Sequence, residues 1–293
     1  NLYKLYDILM YAFVLNHFGN NPTYLKYELY FLYSLRDNTK NDIIYMYSIN
    51  DTPKEFINII QSLNLNIITI PIDDINITYN VEFKSSYTSF NLLRPSNYIF
   101  AFQLLKYKKI CTVESDMIIT SNIDDIFELK TPSIVYYPLS KNKNINENIK
   151  IIINKEKMKE IINKCPKESF TNGGVILFKP SLEIFEKLKE NIKKIINYNC
   201  IYPSETLFLY TFPKFYNLPI MYNMSHWQLK IYKFNFLIKI LHFNNYNYKP
   251  IDIIEDKTFN INQIKNPIIK SILLDFKEKY YNKYNKKIKK YNL

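Results

Sequence analysis

Apolar positions along this chain fall into short runs separated by helical stripes. One run of strand length covers residues 8–15. Pro22 then opens a stretch in which apolar residues recur every three and four positions to about Leu35, as on one face of a helix. Residues 42–48 read as a buried strand, and Pro53 stands in the first turn of a helix ending near Leu63. Residues 66–70 read as the next strand, closed by Pro71, and a helix over about 96–107 leads into a strand at 109–113. Farther on, 175–178 and 237–243 read as strands, and 180–198 as a helix with Pro at its start. The β-α-β-α-β-α-β succession predicts an α/β fold, a mainly parallel sheet with helices on both faces. The polar stretch 140–148 reads as a mobile loop and a candidate lid. Residues 251–293 read as a helical, basic extension, packed on or trailing a domain formed by residues 1–250.

Composition narrows the class only slightly. The 293 residues suffice for one large domain or two small ones, and the 47% apolar content is that of a globular chain. Asn, Ile, Lys, Tyr and Phe are heavily used and glycine occurs only 3 times, a bias of A/T-rich codons rather than of function. The net charge of +12, with basic clusters at 106–109 and 277–290, fits attraction to phosphate or a surface made basic by lysine codons. The second reading is favoured for the tail, so nucleic acid is the less favoured partner. Cys111, Cys165 and Cys200 are scattered, with no Cys-x-x-Cys, and predict neither a zinc site nor a disulfide framework. A reducing, cytoplasmic setting is therefore expected. No apolar run reaches membrane-spanning length and no signal-peptide pattern opens the chain, which begins without Met.

The informative chemistry lies at the end of the strand 109–113. Glu114-Ser115-Asp116 places two carboxylates one residue apart, able to project into one crevice. Ligands of open α/β sheets bind at such carboxyl ends. Two hard oxygen ligands there suit Mg²⁺ or Mn²⁺, which could hold a diphosphate and neutralise its departing charge. A bare acid-x-acid triplet is common in charged loops, so the triplet gains weight only from its surroundings.

The stretch from Lys109 to Glu128, an apolar strand, the acidic triplet, aliphatic residues and Ser-Asn-Ile-Asp-Asp-Ile-Phe, resembles the metal-binding segment of glycogenin and its relatives in glycosyltransferase family 8. Four further segments match in order: Tyr24 to Leu35, Thr171-Asn-Gly-Gly to Ser181, Leu218-Pro-Ile-Met-Tyr-Asn223, and Leu241-His-Phe to Lys249-Pro250. Together they span about residues 8–250. The resemblance implies a GT-A fold, a UDP-sugar donor, a protein or glycan acceptor, Mn²⁺ (Mg²⁺ as the alternative) and retention at the anomeric carbon. It implies Glu114, Asp116 and His242 as metal ligands and Lys249 as the diphosphate lysine. Val14, Leu15, Asn16 and Tyr24 would contact base and ribose, and Asn172 and Gly173 would face the donor sugar. Taken by residue type alone, His242 is as well a satisfied histidine at a strand end, and Tyr24 a helix-start aromatic facing the core. His17 and His226 have no such support.

Four departures bear on activity. Glu114 stands where the family has Asp. Ser204-Glu205 replaces an Asp-Gln pair on the reacting face, where Glu205 could supply a polar contact. Asn245 replaces a glycine, with one residue inserted before Lys249. Tyr98 stands where a lysine is expected, with Arg94 one turn away. The expectation is a metal-dependent retaining transferase of a glucose-like hexose, in which Glu205, Ser204 and Asn172 serve catalysis and a homodimer stays open. Two rivals remain: a degenerate nucleotide-sugar-binding protein with little transfer, kept alive by Ser204, and a basic nucleic-acid-binding protein.

Overall fold

A central strand, β1 (Tyr11–His17), organises the molecule; it runs two residues past the predicted stretch. In the computed structural model, residues 10–73, 94–141, 143–165, 167–198, 200, 202–230, 237–244, 249–256, 261 and 264–291 are described. Helix α1 (Pro22–Asp37) begins where Pro22 predicts it, with the Asn21 side chain accepting from Thr23 N. Then come β2 (Asp42–Ser48), α2 (Lys54–Gln61) and β3 (Ile67–Ile72). Strand β3 passes through Pro71 instead of stopping there. It lies at the sheet edge, where proline's missing N–H costs no ladder bond. The predicted helix at 96–107 is instead a run of 3-10 turns over Arg94–Gln103, rich in aromatic and β-branched residues that favour a regular α-helix less.

Strand β4 (Lys109–Val113) leads directly into β5 (Met117–Ile119). The second half adds β6 (Ser133–Tyr136), β7 (Lys150–Ile152), α3 (Lys155–Lys164), β8 (Thr171–Phe178) and α4 (Leu182–Ile195). Next are α5 (Pro203–Thr211), β9 (Lys214–Asn217), β10 (Met224–Ser225), β11 (Ile240–His242) and α6 (Pro250–Glu255). The chain ends in α7 (Pro267–Phe276), a π-turn over Lys277–Asn282 and α8 (Lys283–Lys289).

Eight strands form one sheet in the order β3-β2-β1-β4-β8-β6-β9-β7. The first four are mutually parallel; β8 is antiparallel to both β4 and β6. The sheet is thus mixed and mainly parallel. Alternation along β1 divides the core: Phe13 and Leu15 pack beneath α1 and α2, whereas Ala12 and Val14 face Phe102, Leu188 and Phe208 on the other side. A second, three-stranded sheet, β10-β11-β5, sits beside the first.

Two expectations change here, and one of two alternatives is selected. The described part of 140–148 is tied down: Ile145 is buried, Asn146 Oδ1 accepts from Met221 N, and Asn148 Nδ2 donates to Asn217 O. Cys165 and Cys200 form a disulfide, which their distance in sequence hid. Cys111 is the buried core thiol its strand predicts. Of the two arrangements expected for the basic extension, the described residues show the packed one. Tyr284 stacks on Tyr33 of α1 at 3.6 Å, Tyr281 on Tyr30, and Ile288 is fully buried. No helix among the described residues is long and apolar enough to cross a membrane.

Candidate active site and metal centre

Glu114-Ser115-Asp116 is the hinge between the two sheets, since β4 belongs to one and β5 to the other. The backbone is pinned on both sides: Glu114 N donates to Gly174 O, and Phe243 N donates to Asp116 O. Antiparallel pairing sets His242 opposite Met117, which brings the imidazole to the triplet. His242 Nε2 lies 3.2 Å from Glu114 Oε2 and 3.1 Å from Asp116 Oδ1. One ligand atom from each of the three residues falls within 4.8 Å of the others.

The state of the imidazole follows from its far side. Asn223 Nδ2 donates to the carbonyl of Asn172, which can only accept, so Asn223 Oδ1 faces His242 Nδ1 at 2.9 Å. Nδ1 therefore carries a proton and Nε2 points its remaining site at the carboxylates. Histidine ligands are oriented by such outer contacts. Despite their proximity, His242 Nε2 and Asp116 Oδ1 are buried without hydrogen-bonding geometry to any partner. Two buried ligand atoms that meet each other without hydrogen-bonding geometry, beside a second carboxylate, fit a divalent cation. With protein alone, charge is shared instead. Burial disfavours the His242 imidazolium, but Asp116 and then Glu114 outweigh it and raise its pKa to about 9. Burial likewise works against the Asp116 carboxylate, yet His242 and Lys249 hold it well below the usual range.

Lys249 Nζ donates to Asp116 Oδ2 at 2.6 Å and to Phe243 O at 3.1 Å. Its backbone is fixed as the residue before α6, with Lys249 N donating to Asp252 Oδ2. The other oxygen of Asp252 accepts from Tyr27 OH at 2.6 Å, strapping this segment to α1. Asn245 lies outside the described residues, as does the side chain of Arg94.

A cavity of about 580 Å³ opens beside the triplet, a size suited to a small ligand. Asn16, Tyr24, Tyr98, Glu114, Asp116, Gly173, Ser204 and Lys249 all line it. Asn16 Oδ1 is buried without a partner, and Tyr24 is half exposed on the wall instead of facing the core. Val14 and Leu15 are not brought there: their side chains belong to the two core clusters. Tyr98 is buried, its hydroxyl near Ser204 O, so it supplies no cation in place of the expected lysine.

On the β8 side, Asn172 is engaged internally. Its Nδ2 donates to Tyr137 OH and Ser225 Oγ, and its Oδ1 accepts from Gly174 N. It holds the strand in shape and presents no free amide to a ligand. Gly173 lies against the Glu205 carboxyl, 3.3 Å from where its Cβ would be. Ser204 Oγ donates to Glu205 Oε2 at 2.5 Å. Burial pushes the Glu205 carboxyl up, the Ser204 bond offsets this in part, and Glu114 adds to the rise. Sequence reasoning did not single out Gly174 or Asn223. A double glycine in a chain with only 3 was the available signal for the first.

No family model matches the sequence, and no curated protein does so either. Solved structures do match. The WbbM bifunctional glycosyltransferase aligns with 97% of this chain at 12% identity and a TM-score of 0.58. GlyE from Streptococcus pneumoniae TIGR4 covers 95% at 17% identity and a TM-score of 0.54. An active-site mutant of LgtC covers 90% at 9% identity and a TM-score of 0.56. The fold is GT-A-like. The GT-A-like chain spans 52% of WbbM and 64% of GlyE, but 94% of LgtC.

Proposed function

We propose that this chain is a metal-dependent, retaining glycosyltransferase that moves a hexose from a UDP-sugar to a protein or glycan acceptor. The observation that carries this reading is the convergence of Asp116 Oδ1, His242 Nε2 and Glu114 Oε2, the first two buried and lacking hydrogen-bond geometry, beside a cavity of nucleotide size. The GT-A-like fold supports it. Glu114, Asp116 and His242 would hold Mn²⁺ or Mg²⁺, and the bound ion supplies charge neutralisation for a diphosphate leaving group. Two carboxylates with an imidazole suit Mn²⁺ better than Ca²⁺.

Residues of the chain supply the rest. The Lys249 ammonium, already at Asp116, is placed to offset charge growing on the diphosphate. Asn16 Oδ1 would accept from a base N–H, and the exposed Tyr24 ring offers an apolar face. Gly173 permits a sugar to approach the backbone closely. Glu205, oriented by Ser204, is the polar group nearest that approach and is assigned to holding a sugar hydroxyl on the reacting face. Asn172 acts through Gly174 and Ser225 as a positioning residue.

Thermal-shift measurements with UDP, GDP, UDP-glucose and UDP-galactose, each with and without Mn²⁺, test the reading. A ligand that binds the folded state raises the melting temperature by mass action. A shift for UDP-sugars that needs Mn²⁺ and vanishes in Asp116→Ala is expected. Equal shifts with and without the metal in both proteins would remove the metal assignment. Mn²⁺-dependent binding without transfer to any acceptor or to water would point to a binding protein instead.

A further inference from the structure

His17, at the end of β1, is a buried histidine that the metal reading does not use. Its Nδ1 lies 2.8 and 2.9 Å from the two carboxylate oxygens of Glu28, and its Nε2 lies 3.1 Å from the carbonyl of Gly19. Tyr45 OH donates to Glu28 Oε2 at 2.6 Å, so that oxygen is an acceptor on its far side as well. Both partners of the ring therefore accept, and each ring nitrogen must donate. That is the imidazolium, held against its counter-ion in the core.

The carbonyl it holds belongs to a turn that shapes the cavity. Gly19 has φ 91°, a backbone open to glycine and strained for other residues. Its N–H donates to Asp51 Oδ1 at 2.9 Å, so the turn is gripped from both sides. Phe18, Gly19, Asn20 and Asn21 line the cavity together with Asn16 and Tyr24. Asn21 also caps α1, whose first turn carries Tyr24. The ion pair thus ties β1 to α1 beside this turn, and Glu28 itself lines the cavity.

We propose that His17, as an imidazolium paired with Glu28, is a positioning residue that fixes the Gly19 turn and so builds the nucleoside end of the cavity. This rests on the nucleotide-sugar reading above. Loss of one ring proton undoes the arrangement. The neutral ring keeps its proton on Nδ1, facing the carboxylate, and the Gly19 carbonyl loses its donor. Burial lowers the pKa of His17, but Glu28 first and Asp51 last among its partners leave it raised above the usual histidine value. The groups facing the ring are Glu28 from α1, Tyr45 from β2, Asp51 from the turn after β2, and the non-titrating ring of Phe56 from α2. Because the folded value is raised, the stabilising contribution is fully present below about pH 6.5 and is lost as pH rises through the folded value.

The test uses the intact chain, uridine as probe and EDTA to remove metal, so that neither Mn²⁺ nor Lys249 enters. With only 3 histidines, ¹⁵N imidazole spectra are readily assigned. His17 should show both nitrogens protonated at about pH 7. At that pH His17→Gln should bind uridine about tenfold more weakly, a change of about 1.4 kcal/mol, while its Mn²⁺ affinity stays that of the wild type. Wild-type affinity should then fall toward that of the variant as pH rises, with the variant serving as baseline for uridine's own ionisation. Should His17→Gln not fold, Glu28→Gln provides the second arm: removing the counter-charge should move the wild-type loss of binding to lower pH. A singly protonated His17 at neutral pH, or a wild type and variant that differ by the same factor at every pH, overturns the proposal. A wild type that binds no uridine at any pH overturns the nucleotide reading together with it.

Discussion

The imidazole of His242 lies against the α-carbon of Gly174: a Cβ there would sit 2.4 Å from His242 Cε1. The neighbouring strand β8 thus serves as the bed on which the imidazole of the candidate metal triad rests.

Gly174→Ala should displace the ring. Met117 Cε stands at 2.6 Å from the same point, so the new methyl has no free direction. Overpacking of this kind costs about 1–3 kcal/mol, and a displaced ligand loses about ten- to a hundredfold in metal affinity. Gly173→Ala is the control, because its Cβ would meet only the Glu205 side chain, at 3.3 Å. Mn²⁺ titration of both variants should separate them, and equal affinities would show that the ring position is not set by Gly174.

Glu205→Ala should lower turnover about tenfold to a thousandfold, about 1.4 to 4 kcal/mol in barrier, with UDP affinity scarcely altered. Its carboxyl sits in the first turn of α5, where an acid is also favoured by the helix dipole. Kinetics and melting temperature measured side by side distinguish the two roles. Unchanged turnover with a lowered melting temperature would leave Glu205 a helix-capping residue alone.

Ile288→Ala should cost about 2–5 kcal/mol, as for other fully buried aliphatic truncations. Lys289→Ala, exposed one position on, should change stability by about 0.5 kcal/mol or less. Denaturant unfolding reads both. A negligible effect at Ile288 would mean that the C-terminal helices do not dock on α1 in solution.

Alkylation under denaturing, non-reducing conditions should label one cysteine of 3, namely Cys111, and all 3 after reduction. Mass spectrometry counts the labels. Replacing Cys165 and Cys200 by Ser should cost about 4 kcal/mol in the chain-entropy account of a loop of this length. Three labels without reduction, in protein made under oxidising conditions, would refute the bridge.

Much of this was legible in sequence because it rests on local periodicity. The stripe behind Pro22 and the run 42–48 became α1 and β2 with little change. Two of the five matching segments, 109–128 and 241–250, pointed to the candidate metal triad because each carries its own short signature. What escaped depends on three-dimensional closure. Nothing local says that Cys165 meets Cys200, or that Asn172 spends its amide inside the strand. Val14 and Leu15 turned to the core because a central strand with both faces covered buries every side chain until its end, so only Asn16 emerges into the cavity. One missed residue did leave a trace. Glu28 is a carboxylate on an apolar helix face, between Leu25 and Leu32, and an acid there calls for a buried partner.

The pairing of β5 with β11 also has a bearing on biosynthesis. As the chain leaves the ribosome, Glu114 and Asp116 emerge long before His242, and the strand that carries the imidazole is among the last sheet elements to be made. A nascent chain short of that point has only two neighbouring carboxylates and no imidazole nitrogen to favour a transition metal over the abundant Mg²⁺. If the site takes manganese as proposed, selective loading would therefore wait for the late strand to dock. Bound manganese would then mark molecules that have finished folding.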